Sequence, residues 1–336
     1  MARIGMIGAG SWGIALAWLL DNNGHEVTVW SALPEEIDML DKEREHRDKL
    51  PGVRLSDRMV FTKVLEDAVK GMDLLVMAVP SIFTRKTARS MKELVADGQI
   101  IVNVAKGIEE DTLKTLDVQI KEEIPQADIA VLSGPTHAEE VGRGLPTTIV
   151  AAAKKKKTAE YVQSIFSSPV FRVYTSPDVL GVELGAALKN VVALAAGMAD
   201  GIGYGDNTKA ALITRGLKEI SVLGVKMGGA PETFAGLTGM GDLIVTCASM
   251  HSRNRRAGIL IGQGKKMKEA MDEVKMVVEG VYSAKAGLAL AKKYDVQMPI
   301  IEQVNKILFE DKPVKEAVNE LMLRELKPEH ELQWEE

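Results

Sequence analysis

"RIGMIGAGSWGIALAWLLDNN", residues 3–23, sets an apolar β-rich run, a glycine triplet and a helical run in direct succession. Residues 3–8 read as a buried strand and 11–23 as a helix. Between them Gly8, Gly10 and Gly13 fall in the G-x-G-x-x-G spacing. Gly8 permits the tight turn, Gly10 lets backbone approach a pyrophosphate, and Gly13 allows close packing of helix on strand. The spacing alone is a weak signal. A strand before it and a helix after it make it specific for a dinucleotide, whose anion would sit on free N–H groups at the positive end of the helix dipole. Ser11 and Trp12 lie in that same turn.

Strand-like runs continue outward at 26–30, 58–61, 74–79, 100–105, 128–133, 147–152 and 171–175, with helical stretches between most of them. Such alternation predicts a parallel, doubly wound sheet with its ligand along one edge, at the strand C-terminal ends. Near "SPDVLG" (176–181) the pattern changes. β-branched runs become rare, and helices are expected over 181–199, 208–227, 253–263, 266–273, 282–293 and 299–309. The fold class is therefore α/β followed by all-α. A Rossmann-type domain is expected over 1–178, a helical substrate and catalytic domain over 179–330, and a polar tail over 331–336.

With 336 residues the chain is too long for one typical core, in keeping with two domains. Its composition, 46% apolar and 26% charged with net charge −5, is that of a soluble globular protein and gives no footprint for nucleic acid or a membrane surface. The lone Cys247 cannot form an internal disulfide and reads as packing. No signal peptide precedes "RIGMIG" and no uncharged apolar run reaches a membrane span, so a cytoplasmic protein without membrane insertion is expected. The five histidines lack paired ligand spacing, so no catalytic metal is expected.

Four segments bear on the substrate. In "GVELGAALKNVVALAAGM" (181–198) Lys189 sits among small apolar residues on an expected helix. It either snorkels to water or is held desolvated, where its pKa would fall. "NVAKGIE" (103–109) puts Lys106 at a strand end, on the ligand edge. "LSGPTHAEEV" (132–141) makes a turn at Gly134 and Pro135, with Thr136 a candidate helix N-cap and Glu139 or Glu140 in the first turn. "GLTGMGDLIVTCASMHSRNRRAG" (236–258) reads as an irregular glycine-rich loop around Asp242. Ser252 then caps a helix that opens with Arg253, Asn254, Arg255 and Arg256. Cations there oppose the helix dipole unless an anion lies between them, and arginines with N-terminal amides suit phosphate. Together these segments outline a site of a dinucleotide, two lysines, one carboxylate and a second phosphate pocket, in which Asp242 would orient the Lys189 ammonium and offset part of its desolvation.

These segments, with "GAGSWG" (8–13), resemble the signature segments of NAD(P)-dependent glycerol-3-phosphate dehydrogenase of the bacterial type, in order from residue 3 to about 320. The resemblance implies reduction of dihydroxyacetone phosphate to sn-glycerol 3-phosphate, supplying glycerophospholipid synthesis, and a homodimer. It places Lys189 on the catalytic lysine. Lys106, Gly134, Thr136, Asp242, Ser252, Arg253 and Asn254 fall on substrate positions. Ser11, Trp12, Lys106, Ala138, Arg253, Val277 and Glu279 fall on cofactor positions, for NAD or NADP. The departure is "WSALPEE" (30–36): Ser31, Ala32 and Leu33 stand where many members carry an arginine, and Glu35 and Glu36 look like a helix start. Two alternatives are a β-hydroxyacid dehydrogenase of the 6-phosphogluconate type, against which "SRNRRAG" after "GMGDL" speaks, and a non-catalytic dinucleotide sensor, which needs no proton donor.

Overall fold

Eight strands form one sheet in the order β3-β2-β1-β4-β5-β6-β7-β8. They are β1 (Arg3–Ile7), β2 (Glu26–Trp30), β3 (Val60–Thr62), β4 (Leu74–Met77), β5 (Ile100–Asn103), β6 (Asp128–Ser133), β7 (Thr147–Ala153) and β8 (Phe171–Ser176). The computed structural model describes residues 1–329, and the expected tail at 331–336 lies outside the described residues. The first six strands are parallel and wound in Rossmann order, which reverses direction between β1 and β4 and opens a crevice there. The all-parallel expectation needs one correction: β7 runs antiparallel to β6, and β8 is parallel to β7. A single-turn connection between β6 and β7 leaves no room for a parallel crossover.

Helices α1 (Ser11–Asn22), α2 (Pro34–Glu43), α3 (Thr84–Met91), α4 (Leu116–Glu123), the one-turn α5 (Ala138–Val141) and α6 (Lys156–Phe166) cover the sheet. Strand pleating sorts apolar side chains by parity. Ile4, Met6, Leu74, Val76 and Val102 enter a core on one face, while Ile7, Leu75, Met77 and Ile101 enter a core on the other. Both faces are covered, so the strands read as continuous apolar runs.

Beyond β8 come α7 (Val179–Gly201), α8 (Asp206–Lys226), α9 (Pro231–Ala235), α10 (Asp242–Ala248), α11 (Arg253–Gly262), α12 (Met267–Val274), α13 (Glu279–Lys293), α14 (Pro299–Phe309) and α15 (Val314–Met322). They enclose a core of their own around α7. Asp178 caps α7 by accepting from the Gly181 N–H at 2.9 Å and ties it to α9 through the Ala230 N–H and the Thr233 hydroxyl. Among the described residues α7 alone is long and apolar enough to cross a membrane, and 94% of that window is buried inside the protein, as befits a core helix. Cys247 packs in the same core, where burial pushes its thiol up to about 12.

Two local expectations change. The stretch around Asp242 is not an irregular loop. Leu237–Gly241 form a π-turn that runs directly into α10, with Asp242 its first residue. Thr136 is not a helix cap either: His137 holds that position, and the Thr136 hydroxyl donates to the Gly134 carbonyl at 3.0 Å. Helices α9 and α15 are additional to those expected.

Candidate active site

The C-terminal ends of β1, β4, β5 and β6 face α7, α11 and the start of α13 across a cleft of ≈ 700 Å³. At its sheet side the three glycines behave as their spacing requires. Gly8 has φ +122°, and a Cβ there would press on the Ala78 backbone at 2.8 Å. A Cβ on Gly13 would lie 2.2 Å from the Gly8 carbonyl oxygen, whereas one on Gly10 would meet nothing within 4 Å. Gly10 is the N-cap of α1, and among the described residues no side-chain cap hydrogen bond closes that helix end. The turn therefore leaves open space against uncommitted amides, which fits a pyrophosphate. Gly10, Ser11 and Trp12 line the cleft, and the buried Trp12 Nε1 has no hydrogen-bond partner among the described residues. Ala138 lines the cleft from α5, beside α1 on the sheet side, and Val277 and Glu279 line it from the helical half. Glu279 is held by the Ser81 N–H at 3.0 Å and by the Ser81 hydroxyl, and its burial raises its pKa.

At the β2 end, the Ser31 hydroxyl donates to Glu36 at 2.7 Å and accepts from the Leu33 N–H at 3.2 Å. Glu36 lies in the first turn of α2, as expected, and also takes the Lys49 ammonium. Burial works against its charge, but His46, Lys49 and Ser31 outweigh it and bring the pKa down to about 2. Lys49 reaches the cleft wall already paired.

Lys189 lies mid-way along α7 with its side chain only 6% exposed, so it does not snorkel. Its ammonium donates to Asp242 Oδ1 and, at 2.6 Å, to the Thr246 hydroxyl. Asp242 Oδ2 accepts from Lys106 at 2.7 Å, and Lys106 also donates to the Gly134 carbonyl at 3.0 Å. One buried carboxylate thus bridges two lysines that approach from the sheet and from α7. Burial drives the Lys189 pKa down to about 7; Asp242 opposes the fall and Lys106 adds to it.

Ser252 caps α11 as expected, accepting from the Arg255 N–H at 3.2 Å. The basic turn divides. Arg255 turns away to Asp200 at 2.8 Å, while Arg253 and Arg256 line the cleft. Arg253 makes no hydrogen bond or ion pair among the described residues, and desolvation lowers its pKa. A half-buried guanidinium with no hydrogen bond or ion pair among the described residues, beside a helix N-terminus, is a site for an anion. The Asn254 side chain is mostly committed: it donates to Asn190 at 2.9 Å and accepts from the Gly280 N–H at 2.8 Å.

Of the residues singled out from sequence, Gly10, Ser11, Trp12, Lys106, Thr136, Ala138, Lys189, Ser252, Arg253, Asn254, Val277 and Glu279 line this one cleft. Gly8, Gly13, Gly134 and Asp242 stand behind its wall and set the turn, the Lys106 contact and the lysine bridge. Thr246, Asn190 and the paired rings of His137 and His251, 5.8 Å apart, were not anticipated. Thr246 follows Asp242 by four residues, a helical spacing that a loop reading hides.

A Rossmann sheet with an open pyrophosphate turn, joined to a helical half that supplies a desolvated lysine, defines a nicotinamide-dependent oxidoreductase. Residues 3–159 match the family described as NAD-dependent glycerol-3-phosphate dehydrogenase N-terminus, and 178–319 match its C-terminus. The chain belongs to the NAD-dependent glycerol-3-phosphate dehydrogenase family. It is 67% identical over 335 residues to glycerol-3-phosphate dehydrogenase [NAD(P)+] of Agathobacter rectalis, covering 99% of this chain and 100% of that one. It is 50% identical to the enzyme of that name from Bacillus subtilis, covering 96% and 95% of the two chains. The crystal structure of glycerol-3-phosphate dehydrogenase from Coxiella burnetii superimposes with a TM-score of 0.93 at 36% identity, over 96% of this chain and 99% of that chain.

Proposed function

We propose that the protein reduces dihydroxyacetone phosphate to sn-glycerol 3-phosphate with NADH or NADPH, and so supplies glycerophospholipid synthesis. The observation that carries the chemistry is the Lys189–Asp242–Lys106 bridge at the cleft wall. A bound nicotinamide supplies the hydride. Lys189 gives a proton to the alkoxide forming at C2, and a pKa near 7 suits a group that must donate in one direction and accept in the other. Lys106 adds positive charge at the same oxygen, and Asp242 holds both ammonium groups in place. Arg253 and the amides opening α11 hold the phosphate, which orients the carbonyl. The relatives do not favour a 6-phosphogluconate-type substrate or a sensor without turnover. Absorbance at 340 nm with dihydroxyacetone phosphate and NADH tests the reading; no substrate-dependent loss of NADH or NADPH refutes it.

We infer the domain division at 178/179, supported by β8 ending at Ser176 and α7 beginning at Val179. A homodimer and a cytoplasmic location complete the proposal. Val222 and Val225 on α8 remain exposed, as an interface in the helical half would require, and light scattering reads the oligomeric state.

Arg253→Ala is expected to raise the KM for dihydroxyacetone phosphate far more than the KM for the nicotinamide, because it removes a cation at a helix start that makes no ion pair among the described residues. An unchanged substrate KM removes Arg253 from the phosphate pocket. The coenzyme choice follows from the β2 end, where no arginine follows Trp30 and Lys49 is already paired with Glu36. NADH should therefore give a kcat/KM at least equal to that of NADPH. An NADPH preference on the order of a hundredfold, about 2.7 kcal/mol, would put Lys49 on the 2′-phosphate.

A further inference from the structure

We propose that Glu183 is a positioning residue for Lys106, acting through Asn103 to fix the turn that carries this lysine to Asp242. The inference rests on the reaction proposed above.

Glu183 lies in the first third of α7 and is 3% exposed. Its Oε1 accepts from Asn103 Nδ2 at 2.9 Å, and its two oxygens accept from the Asp117 backbone N–H at 3.2 Å each. Asn103 ends β5 and clamps the chain that follows. Its Oδ1 accepts from the Ala105 N–H, and its Nδ2 donates to the Ala105 carbonyl, both at 3.2 Å. The next residue is Lys106. The side-chain amide of Asn103 is thus gripped on one side by Glu183 and grips the peptide before Lys106 on the other. Rotating that amide would break three bonds together.

Glu183 precedes Lys189 by six residues on the same helix, about 9 Å along its axis. One rigid element therefore carries Lys189 and also anchors the turn that carries Lys106. That arrangement fixes the separation of the two ammonium groups that share Asp242. Burial, and then the neighbouring Asp117 carboxylate, hold Glu183 well above the usual carboxylate range. In its neutral form one oxygen accepts from Asn103 while the hydroxyl faces Asp117, a pattern that glutamine reproduces.

The charged and titratable groups acting on Lys189 are Asp242 and Cys247 from α10, Lys106 from the β5 turn and His137 from the β6 turn. Among them Lys106 pushes the Lys189 pKa down. Releasing the clamp should let Lys106 withdraw, so the Lys189-controlled limb of the pH–rate profile should move to higher pH. A purely structural role would not move it.

The test compares kcat, both KM values and the pH–rate profile of E183M, E183Q, N103S and the E183M/N103S double variant, with NADH and dihydroxyacetone phosphate. E183M is expected to lower kcat on the order of 10- to 100-fold, as a misplaced catalytic group does, to shift the profile upward and to leave the NADH KM near wild type. E183Q should retain kcat to within a few-fold. The double variant should be no worse than the poorer single variant, because both substitutions open one clamp. If E183M does not fold, N103S must show the same loss and shift. Additive losses, an unmoved profile, or E183Q as impaired as E183M overturn the proposal. A wild-type protein without turnover refutes the reaction itself instead, since the clamp is read from ratios to wild type.

Discussion

Lys189→Met should abolish turnover while the fold and cofactor binding survive. Methionine keeps an apolar stem of similar length in the core of the helical half, so packing around α7 is largely retained. The proposed proton donor is lost. General acid catalysis accounts for roughly 10²–10⁴ in rate, and charge stabilisation of the alkoxide is lost with it. The kcat should therefore fall by at least about 10³-fold, with the NADH KM near wild type. The stability of the variant carries a second signature. The folded pKa of Lys189, about 7, lies below the reference value of about 10.4 for an unfolded lysine. Between those values the unfolded chain binds the extra proton, so wild-type stability gains a rising contribution as pH climbs from 7 toward 10. Below pH 7 both states are protonated, and the cost of the buried ammonium is felt in full. K189M should lack that rise, giving a flatter dependence of stability on alkaline pH. Against this, Asp242 loses one of two cationic partners and retains Lys106. The measurements are kcat beside melts at pH 6, 8 and 9.5. A folded K189M variant that binds NADH and turns over near the wild-type rate would sink the mechanism.

The sheet and the nucleotide turn were legible because their signals are local. Three glycines, a strand before and a helix after need no tertiary information, and the alternation of apolar β-rich runs with helical stretches does the rest. The direction of β7 was not legible: "TTIVAAA" reads alike in either direction, and only the short link through α5 decides it. Asp242 was found but its setting was misread. Glycine at 236, 239 and 241 looks like looseness, yet a Cβ on Gly239 would lie 2.0 Å from the Phe234 carbonyl oxygen. The glycine is there for close packing inside a π-turn. That misreading also hid Thr246, which a helical count from Asp242 would have exposed. Glu183 escaped for a different reason. A glutamate near a helix start suits the helix dipole and invites no further explanation until its burial is seen. The Arg253 site was visible as an electrostatic anomaly, but which arginines face the cleft depends on Asp200, far away in sequence.

Gly258→Ala should destabilise the protein although it replaces glycine by a better helix former. Helices α7 and α11 meet backbone to backbone through two glycines each, four residues apart. A Cβ on Gly197 would lie 2.1 Å from the Arg255 carbonyl oxygen, and one on Gly201 2.3 Å from that of Ile259. Reciprocally, a Cβ on Gly258 would lie 2.2 Å from the Leu194 carbonyl oxygen, and one on Gly262 2.3 Å from that of Met198. The obstructing atoms are main chain within helices and cannot rotate aside. Alanine at an exposed helical site would gain about 1 kcal/mol over glycine. Here the helices must part, and overpacking typically costs about 1–3 kcal/mol, with rigid surroundings favouring the upper end. A net loss of about 2 kcal/mol is expected, read as a lower melting temperature. Function should follow, because α11 begins with Arg253 and α7 carries Lys189, so parting the helices widens the gap between the proposed phosphate pocket and the proposed proton donor. The KM for dihydroxyacetone phosphate should rise while the KM for NADH, bound largely at the sheet, changes less. A Gly258→Ala protein that melts at or above the wild-type temperature would show that the two backbones are not in contact, and the glycine spacing would then have no bearing on how the site is held.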